Sequence, residues 1–360
     1  MAGNIDANDT IAGGDGDDVA VTSAALADTD LVGVDVETLE VDGATTITLA
    51  AAINTSIFDL SDTGNQVLTL SAGYTGATTV ILTGDAATNT DTVTNTADVA
   101  LTITANAADI DATTTITGGA TATDTLNLAN DAGTADFTLV TAVDVVNVID
   151  SAANAGNDST IDLQAFATAI TVSGADLDAG EDLTVDGSGM AGALTATGGA
   201  GDDTITGGTG DDVLTGGAGD DTIDVTDGDS TVSGGAGDDN ITGGAGDDSL
   251  DGGDGDDTID AEEGANNVTG GAGDDTITGG TGADTINGGA GADTIDSETG
   301  LDIVTGGAGN DTFVINANTS QWLYATIQDA ANGDILSAAA DQGTETDGGQ
   351  ISLGANATFG

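Results

Sequence analysis

Positive charge is missing altogether: the 360 residues include no Lys, Arg or His against 63 Asp and Glu, for a formal charge of −63. Nucleic acid is thereby excluded as a partner, because phosphate contacts rest on Lys and Arg. Cys is absent too, so neither a disulfide framework nor a thiolate metal site can form. Without these four residue types there is no Ser-His-Asp triad, no Cys nucleophile, no His-bound zinc and no Schiff-base lysine. No Ser stands in a Gly-x-Ser-x-Gly context. Carboxylate pairs can do acid–base work, but Asp62-Thr63-Gly64, half of an aspartic-protease motif, occurs only once. No catalysis is expected.

Aromatic residues make up 2% of the chain, which argues against a thick globular core, and Pro, the usual strand breaker, is absent. No apolar run approaches the roughly eighteen residues that a membrane-spanning helix needs. Met1-Ala2-Gly3-Asn4-Ile5-Asp6 offers neither the basic nor the apolar region of a cleaved signal peptide, so an export signal is expected elsewhere. Trypsin has no cleavage site.

What remains is 38% apolar, with abundant Val, Ile, Leu and Thr that suit strands, and 58 glycines that suit tight turns. Charge of this size favours disorder. Two carboxylates one strand spacing apart repel by about 1 kcal/mol in water and about 3 kcal/mol at an effective dielectric near 20. A compact acidic stack therefore needs divalent cations between its carboxylates.

From residue 198 the chain runs in nine-residue units, GGAGDDTIT, GGTGDDVLT, GGAGDDTID and onward, thirteen in all, without a frame slip to 314. The pattern is Gly-Gly-x-Gly-x-Asp-x-U-x, with U a large apolar residue. Position eight is Ile205, Leu214, Ile223, Val232, Ile241, Leu250, Ile259, Val268, Ile277, Ile286, Ile295, Val304 and Phe313. A flexible Gly/Asp linker has no reason to keep an apolar residue in register thirteen times. The last three residues of each unit are expected to form a short strand with the apolar one pointing inward. The glycines are expected to turn backbone carbonyls toward a hard, oxygen-seeking ion, Ca²⁺. Candidate carbonyl ligands are Gly199, Gly201, Gly208, Gly210, Gly217, Gly219, Gly235, Gly237, Gly244, Gly246, Gly253, Gly255, Gly271, Gly273, Gly289, Gly291, Gly307 and Gly309. Ligands must be deprotonated, so acid or chelator is expected to unfold the array.

Two units make one coil, so successive units turn on opposite edges. Odd units carry Asp203, Asp221, Asp239, Asp257, Asp275, Asp293 and Asp311 at position six, an unbroken series of candidate ligands. Even units carry Asp212, Ser230, Asp248, Asn266, Asp284 and Asp302. Units four, eight and twelve (VTDGDSTVS, AEEGANNVT and SETGLDIVT) lose the Gly-Gly pair, all on the even edge. One continuous calcium row is expected on the odd edge, with six gaps between seven turns, and a weaker or modified row on the even edge. The altered turns are open to two readings, a lateral contact surface or drift of the repeat.

Four segments follow. Residues 1–29 hold one more copy of the pattern, with Asp18 as a candidate ligand. Residues 30–197 are rich in Thr and Ala, with alternating runs at 45–49, 78–82, 101–104, 145–148 and 170–172 and degenerate echoes of the nonapeptide at 84–93 and 118–126. They read as an irregular β-solenoid or sandwich without helix. Residues 198–314 are the repeat array, and 315–360 hold Trp322-Leu323-Tyr324, read as a cap on the array. The fold class is all-β, a parallel β-roll or β-solenoid preceded by the irregular region.

The nonapeptide array resembles the RTX (repeats-in-toxin) calcium-binding β-roll family. More broadly, Val34-Asp35-Val36-Glu37-Thr38-Leu39-Glu40-Val41, the Thr/Ala-rich strands, the array and the segment 326–336 look like the C-terminal part of RTX-type bacterial surface-layer proteins. That resemblance implies several bound Ca²⁺ ions, export by a type I exporter reading an uncleaved C-terminal signal, and folding outside the cell on meeting calcium. It further implies self-association into a lattice, filament or sheath at the bacterial cell surface, with lipopolysaccharide or another surface glycan as partner. The lipopolysaccharide-gripping N-terminal domain of that family has no counterpart in this sequence. The alternatives are an RTX adhesin and a calcium-binding passenger or tail; an RTX-tailed hydrolase is contradicted by the missing catalytic residue types.

Overall fold

A computed structural model describes residues 166–315 without a break, much of 57–164, and the strands Val19–Thr22, Leu26–Ala27, Thr38–Val41, Thr46–Leu49, Thr326–Ile327, Ile335–Ala338 and Ser352–Leu353. Asp18, Asp62-Thr63-Gly64 and the Trp322-Leu323-Tyr324 cluster lie outside the described residues. The chain divides into two compact units, 1–176 and 177–360.

Within the array the coil is eighteen residues, as the repeat requires: Val213 pairs with Thr231, Thr231 with Ser249 and Ser249 with Asn267. All pairings are parallel, and they form two long rows and a short third one on the even edge, where Thr281–Gly282 pairs with Thr299–Gly300 and single bridges link Thr281 back through Glu263 and Ala245 to Asp227. One long row consists of three-residue strands such as Thr204–Thr206, Thr222–Asp224 and Asn240–Thr242, which end the odd units. The other consists of six-residue strands such as Val213–Ala218, Thr231–Ala236 and Ser249–Asp254. The short strand expected in every unit is therefore confirmed only for odd units. In even units it runs on through the Gly-Gly-x of the next unit, so the backbone itself distinguishes the two edges.

All thirteen position-eight residues point into the roll, none more than 3% exposed. Strand periodicity explains this: in ten units the apolar residue is flanked by polar ones, so only one register buries it, and the pairing with neighbouring coils holds Leu214, Val304 and Phe313 to the same register. Beyond the array the rows continue, with Thr326–Ile327 pairing onto Ile303–Val304 and Ile335–Ala338 onto Thr312–Ile315.

The first unit is also built from parallel rows. Thr38–Val41, Ile57–Asp59, Thr78–Leu82, Leu101–Asn106, Thr125–Ala129 and Val145–Ile149 form one, and Thr46–Leu49, Val67–Leu70, Thr92–Asn95 and Thr115–Thr117 lie in another. Parallel neighbours along a chain require coils, which resolves the earlier alternative in favour of a solenoid. The expected runs at 78–82, 101–104, 145–148 and 170–172 lie on strands, as do the described residues 46–49 of the run at 45–49. Coil length varies here: Thr38 pairs with Ile57 but Val145 with Thr171. Alternate residues are buried, and the larger ones, Phe58, Leu68, Leu70, Tyr74 and Val80, supply the core that short coils cannot. Phe137 and Phe166 meet edge to face at 6.3 Å. Among the described residues the only helical element is a single 3-10 turn, Phe137–Leu139, and no helix is long and apolar enough to cross a membrane.

Candidate calcium ladders

Each position-six side chain on the odd edge reaches one coil back. Asp221 Oδ1 accepts the backbone N–H of Asp203 at 2.7 Å, Asp239 that of Asp221 at 2.8 Å, and Asp257 that of Asp239 at 2.9 Å. The series continues through Asp275, Asp293 and Asp311. It begins where Leu183 N–H donates to Asp203. Every carboxylate is thus locked to the coil before it, and each is almost wholly buried.

The second oxygen is the chemically important one. Oδ2 of Asp221, Asp239, Asp257, Asp275 and Asp293 is buried and receives no hydrogen bond. A buried anionic oxygen without a donor costs free energy unless a cation or a proton neutralises it. It is directed at the first glycine of its own unit: a Cβ on Gly216 would run into Asp221 Oδ2 and also approach the carbonyl of Gly234 in the next coil. Gly234, Gly252, Gly270 and Gly288 repeat this arrangement. Carboxylate and carbonyl oxygens therefore converge once per coil, a donor set that suits Ca²⁺. Among the described residues no three acidic side chains converge on one point, so backbone carbonyls would complete any coordination shell.

Burial is the main influence on these groups. It pushes the carboxyls of Asp221 and Asp275 up to about 7 and those of Asp203, Asp239 and Asp257 up to about 6. The accepted N–H bonds oppose that rise, while neighbouring carboxylates add to it. Asp293 is raised as well, again by burial.

The expected glycines fall on the same turns. Gly217 and Gly219 adopt φ of 134° and 121°, and a Cβ on either would strike the carbonyl oxygen of Gly199 or Gly201 in the preceding coil. Gly235, Gly237, Gly253, Gly255, Gly271, Gly273, Gly289, Gly291, Gly307 and Gly309 follow suit on the odd edge, and Gly244 and Gly246 on the even edge. Gly201, Gly208 and Gly210, in the first two units, lie outside the left-handed region.

On the even edge the hydrogen-bond ladder is equally continuous although the residues change. Leu194 N–H donates to Asp212, Asp212 N–H to the Ser230 hydroxyl and Ser230 N–H to Asp248. Asp248 N–H then donates to the Asn266 amide oxygen, Asn266 N–H to Asp284 and Asp284 N–H to Asp302. Ser and Asn keep the acceptor and drop the charge. Asp248, Asp284 and Asp302 retain a buried Oδ2 without a donor, whereas Asp212 Oδ2 accepts the Gly208 N–H. Burial raises all four carboxyls, Asp248 and Asp284 to about 6.

Two features went unread in the sequence. Position one, Gly in every odd unit and the small Ser297 beside Asp302 in unit twelve, leaves room for the carboxylate and was not among the expected site residues. Position five forms an exposed second ladder running the other way: Asp202 accepts the N–H of Asp220, Asp220 that of Asp238 and Asp238 that of Asp256. The recurrent Gly-Asp-Asp doublet was its signal.

A family model, the RTX calcium-binding nonapeptide repeat (four copies), matches residues 6–23, 197–232, 224–259, 233–268, 260–295 and 278–313. The array is an RTX calcium-binding repeat. RTX nonapeptides bind several Ca²⁺ ions, and proteins that carry them are typically secreted. Neither a curated protein nor a solved structure matches the chain.

The RTX motif also clarifies the echoes upstream. Asp91 Oδ1 accepts the Gln66 N–H at 2.9 Å and Asp124 Oδ1 the Leu101 N–H at 2.8 Å, the same reach to an earlier coil. The difference lies in the second oxygen: Asp124 Oδ2 accepts the Gly119 N–H and the Asn95 amide. Burial raises this carboxyl, but protein donors already satisfy both oxygens. The echo at 118–126 keeps the ladder without the donor-free oxygen.

Proposed function

We propose that the chain is a calcium-dependent structural protein of the bacterial exterior that folds on meeting Ca²⁺ and self-associates into a lattice, filament or sheath. The observation that carries the calcium dependence is the odd-edge row of buried, donor-free carboxylate oxygens in a chain with no Lys, Arg or His. Calcium held by these carboxylates and by the adjoining glycine carbonyls would neutralise what the protein cannot neutralise itself. Domain limits of 1–29, 30–197, 198–314 and 315–360, with the last a cap and export signal, belong to this proposal, as do a type I exporter and a surface glycan such as lipopolysaccharide as partners.

Self-association is supported by where charge is missing. The exposed face of the long-strand row presents Val213, Thr231, Ser249, Asn267, Thr285 and Ile303 at position seven. At position nine it presents Thr215, Ser233, Asp251, Thr269, Asn287 and Thr305, so the acids of this row, Asp251 and the strand-end Asp254, are confined to the single strand Ser249–Asp254. Copies of a polyanion repel through every acidic surface, and contact is cheapest where charge is absent. Electron microscopy of the purified chain with calcium tests the reading. Sheets or filaments are expected; dispersed particles at high protein and calcium concentration would instead favour an adhesin or passenger segment. Asn267→Asp with Thr285→Glu is expected to abolish association and leave calcium binding unchanged.

A further inference from the structure

The altered units four, eight and twelve change several positions together. In regular turns the position-one glycine leaves room for the position-six carboxylate. In unit four position one is Val225, fully buried, and position six is Ser230, whose hydroxyl is too short to claim that space. In unit eight the pair is Ala261, also fully buried, and Asn266, whose amide donates to the Ala261 carbonyl at 3.0 Å. Neither Ser230 nor Asn266 has a buried polar atom left without a partner, in contrast to Asp248 between them.

The backbone is held by side chains as well. Position two keeps the left-handed path of the regular even turns, with φ of 77° at Thr226 and 56° at Glu262 against 79° at Gly244. That path is strained for non-glycine residues. In both cases the last residue of the preceding unit has become Asp, and its carboxylate accepts the strained residue's N–H: Asp224 from Thr226 at 3.1 Å, Asp260 from Glu262 at 3.3 Å. Before the regular even units that place is held by Thr206, Thr242 and Thr278. Unit twelve shares the changes at positions one and two and before them, with Glu298 at φ 52° donating its N–H to Asp296 at 3.1 Å, but it keeps Asp302 at position six, so only units four and eight also give up the carboxylate.

We propose that the turns of units four and eight close without calcium, their side chains replacing the ion, so that the even edge binds calcium tightly only between Asp284 and Asp302. This rests on the calcium reading above. Every other even-edge gap has a neutral residue on one side, Ser230 or Asn266, and calcium affinity follows the number of charged ligands. The odd edge, by contrast, has a carboxylate on both sides of all six gaps.

The test is calcium stoichiometry of the full chain by equilibrium dialysis and titration calorimetry. Seven tight ions are expected, six on the odd edge and one on the even; eleven, one per gap on both edges, would overturn the inference. The variant Val225→Gly with Ser230→Asp rebuilds a regular turn between Asp212 and Asp248 and is expected to gain two tight ions. Ser230→Asp alone keeps Val225 in the carboxylate's place and is expected to gain none. A gain by the single variant, or no gain by a double variant with the wild-type circular dichroism spectrum, would sink the idea. Should that double variant not fold, Ala261→Gly with Asn266→Asp poses the same question at unit eight. Wild-type protein that binds no calcium at all would overturn the calcium reading itself.

Discussion

A position-six aspartate does two separable things: one oxygen ties it to the preceding coil, and the other faces the place calcium would take. Asn266 shows that the first task needs no charge, since its amide oxygen accepts the Asp248 N–H at 2.9 Å. Asp257→Asn is therefore expected to fold at saturating calcium while the gaps on either side of it bind calcium weakly. Asp257→Ala also strands the buried N–H of Asp239, a further loss of about 1–3 kcal/mol. Denaturant titration with excess calcium should separate the two variants by that amount, and calcium stoichiometry should not. Equal stability of the two would mean that the Oδ1 bond contributes nothing.

The element that matters is the coil of two units, not the nonapeptide. Removing residues 234–251 deletes one coil and keeps each later turn on its own edge, so shortened rolls are expected to fold with calcium and to bind fewer ions. Removing 234–242 alone moves every later turn to the opposite edge. The neutral turn of unit eight then interrupts the continuous ladder, and three-residue strands meet six-residue ones. That deletion is expected to cost far more in thermal stability at equal calcium, although it is half as long. Within a coil, Ile241→Ala is expected to cost about 2–5 kcal/mol, because a buried side chain in a thin solenoid has few neighbours able to collapse onto the cavity. Much of this was legible in the sequence, because a fixed period locates every strand once one is found: Ile205 predicts Ile223 and Ile241. Upstream, coil length varies, so the runs at 78–82 and 101–104 identify strands but not partners. The coupling of Val225 to Ser230 was visible as two odd residues and became intelligible only when position one was found beside the position-six carboxylate. Likewise Asp224 and Asp260 read as ordinary surface acids until the left-handed Thr226 and Glu262 were seen to need them.

For the chain as a whole, −63 charges without an internal counter-charge make folding a question of what neutralises the buried carboxylates. Calcium is one answer and the proton is the other. In the metal-free roll burial lifts the carboxyls of Asp221 and Asp275 to about 7 and those of Asp239, Asp257 and Asp284 to about 6, from an unfolded value of 3.8. Between those limits the folded state holds more protons than the unfolded state, so metal-free stability falls as pH rises through 4 to 7 and is greatest below the unfolded value. Calcium requires the deprotonated ligands, so its affinity moves the opposite way and weakens as pH drops through 7 and 6. Acid was expected from the sequence to unfold the roll; the burial of these groups refines that expectation, since acid expels calcium and at the same time removes the repulsion that calcium had relieved. In chelator, the β signal in circular dichroism is expected to be weak at about pH 7.5 and to strengthen toward about pH 4.5, while the midpoint of a calcium titration should rise at least tenfold between about pH 7.5 and about pH 5.5. Calorimetry in buffers of different ionisation enthalpy should register protons released on calcium binding near pH 6.5 and few at pH 8. A calcium midpoint independent of pH across that range would show that the buried carboxylates are not the groups that hold the ion.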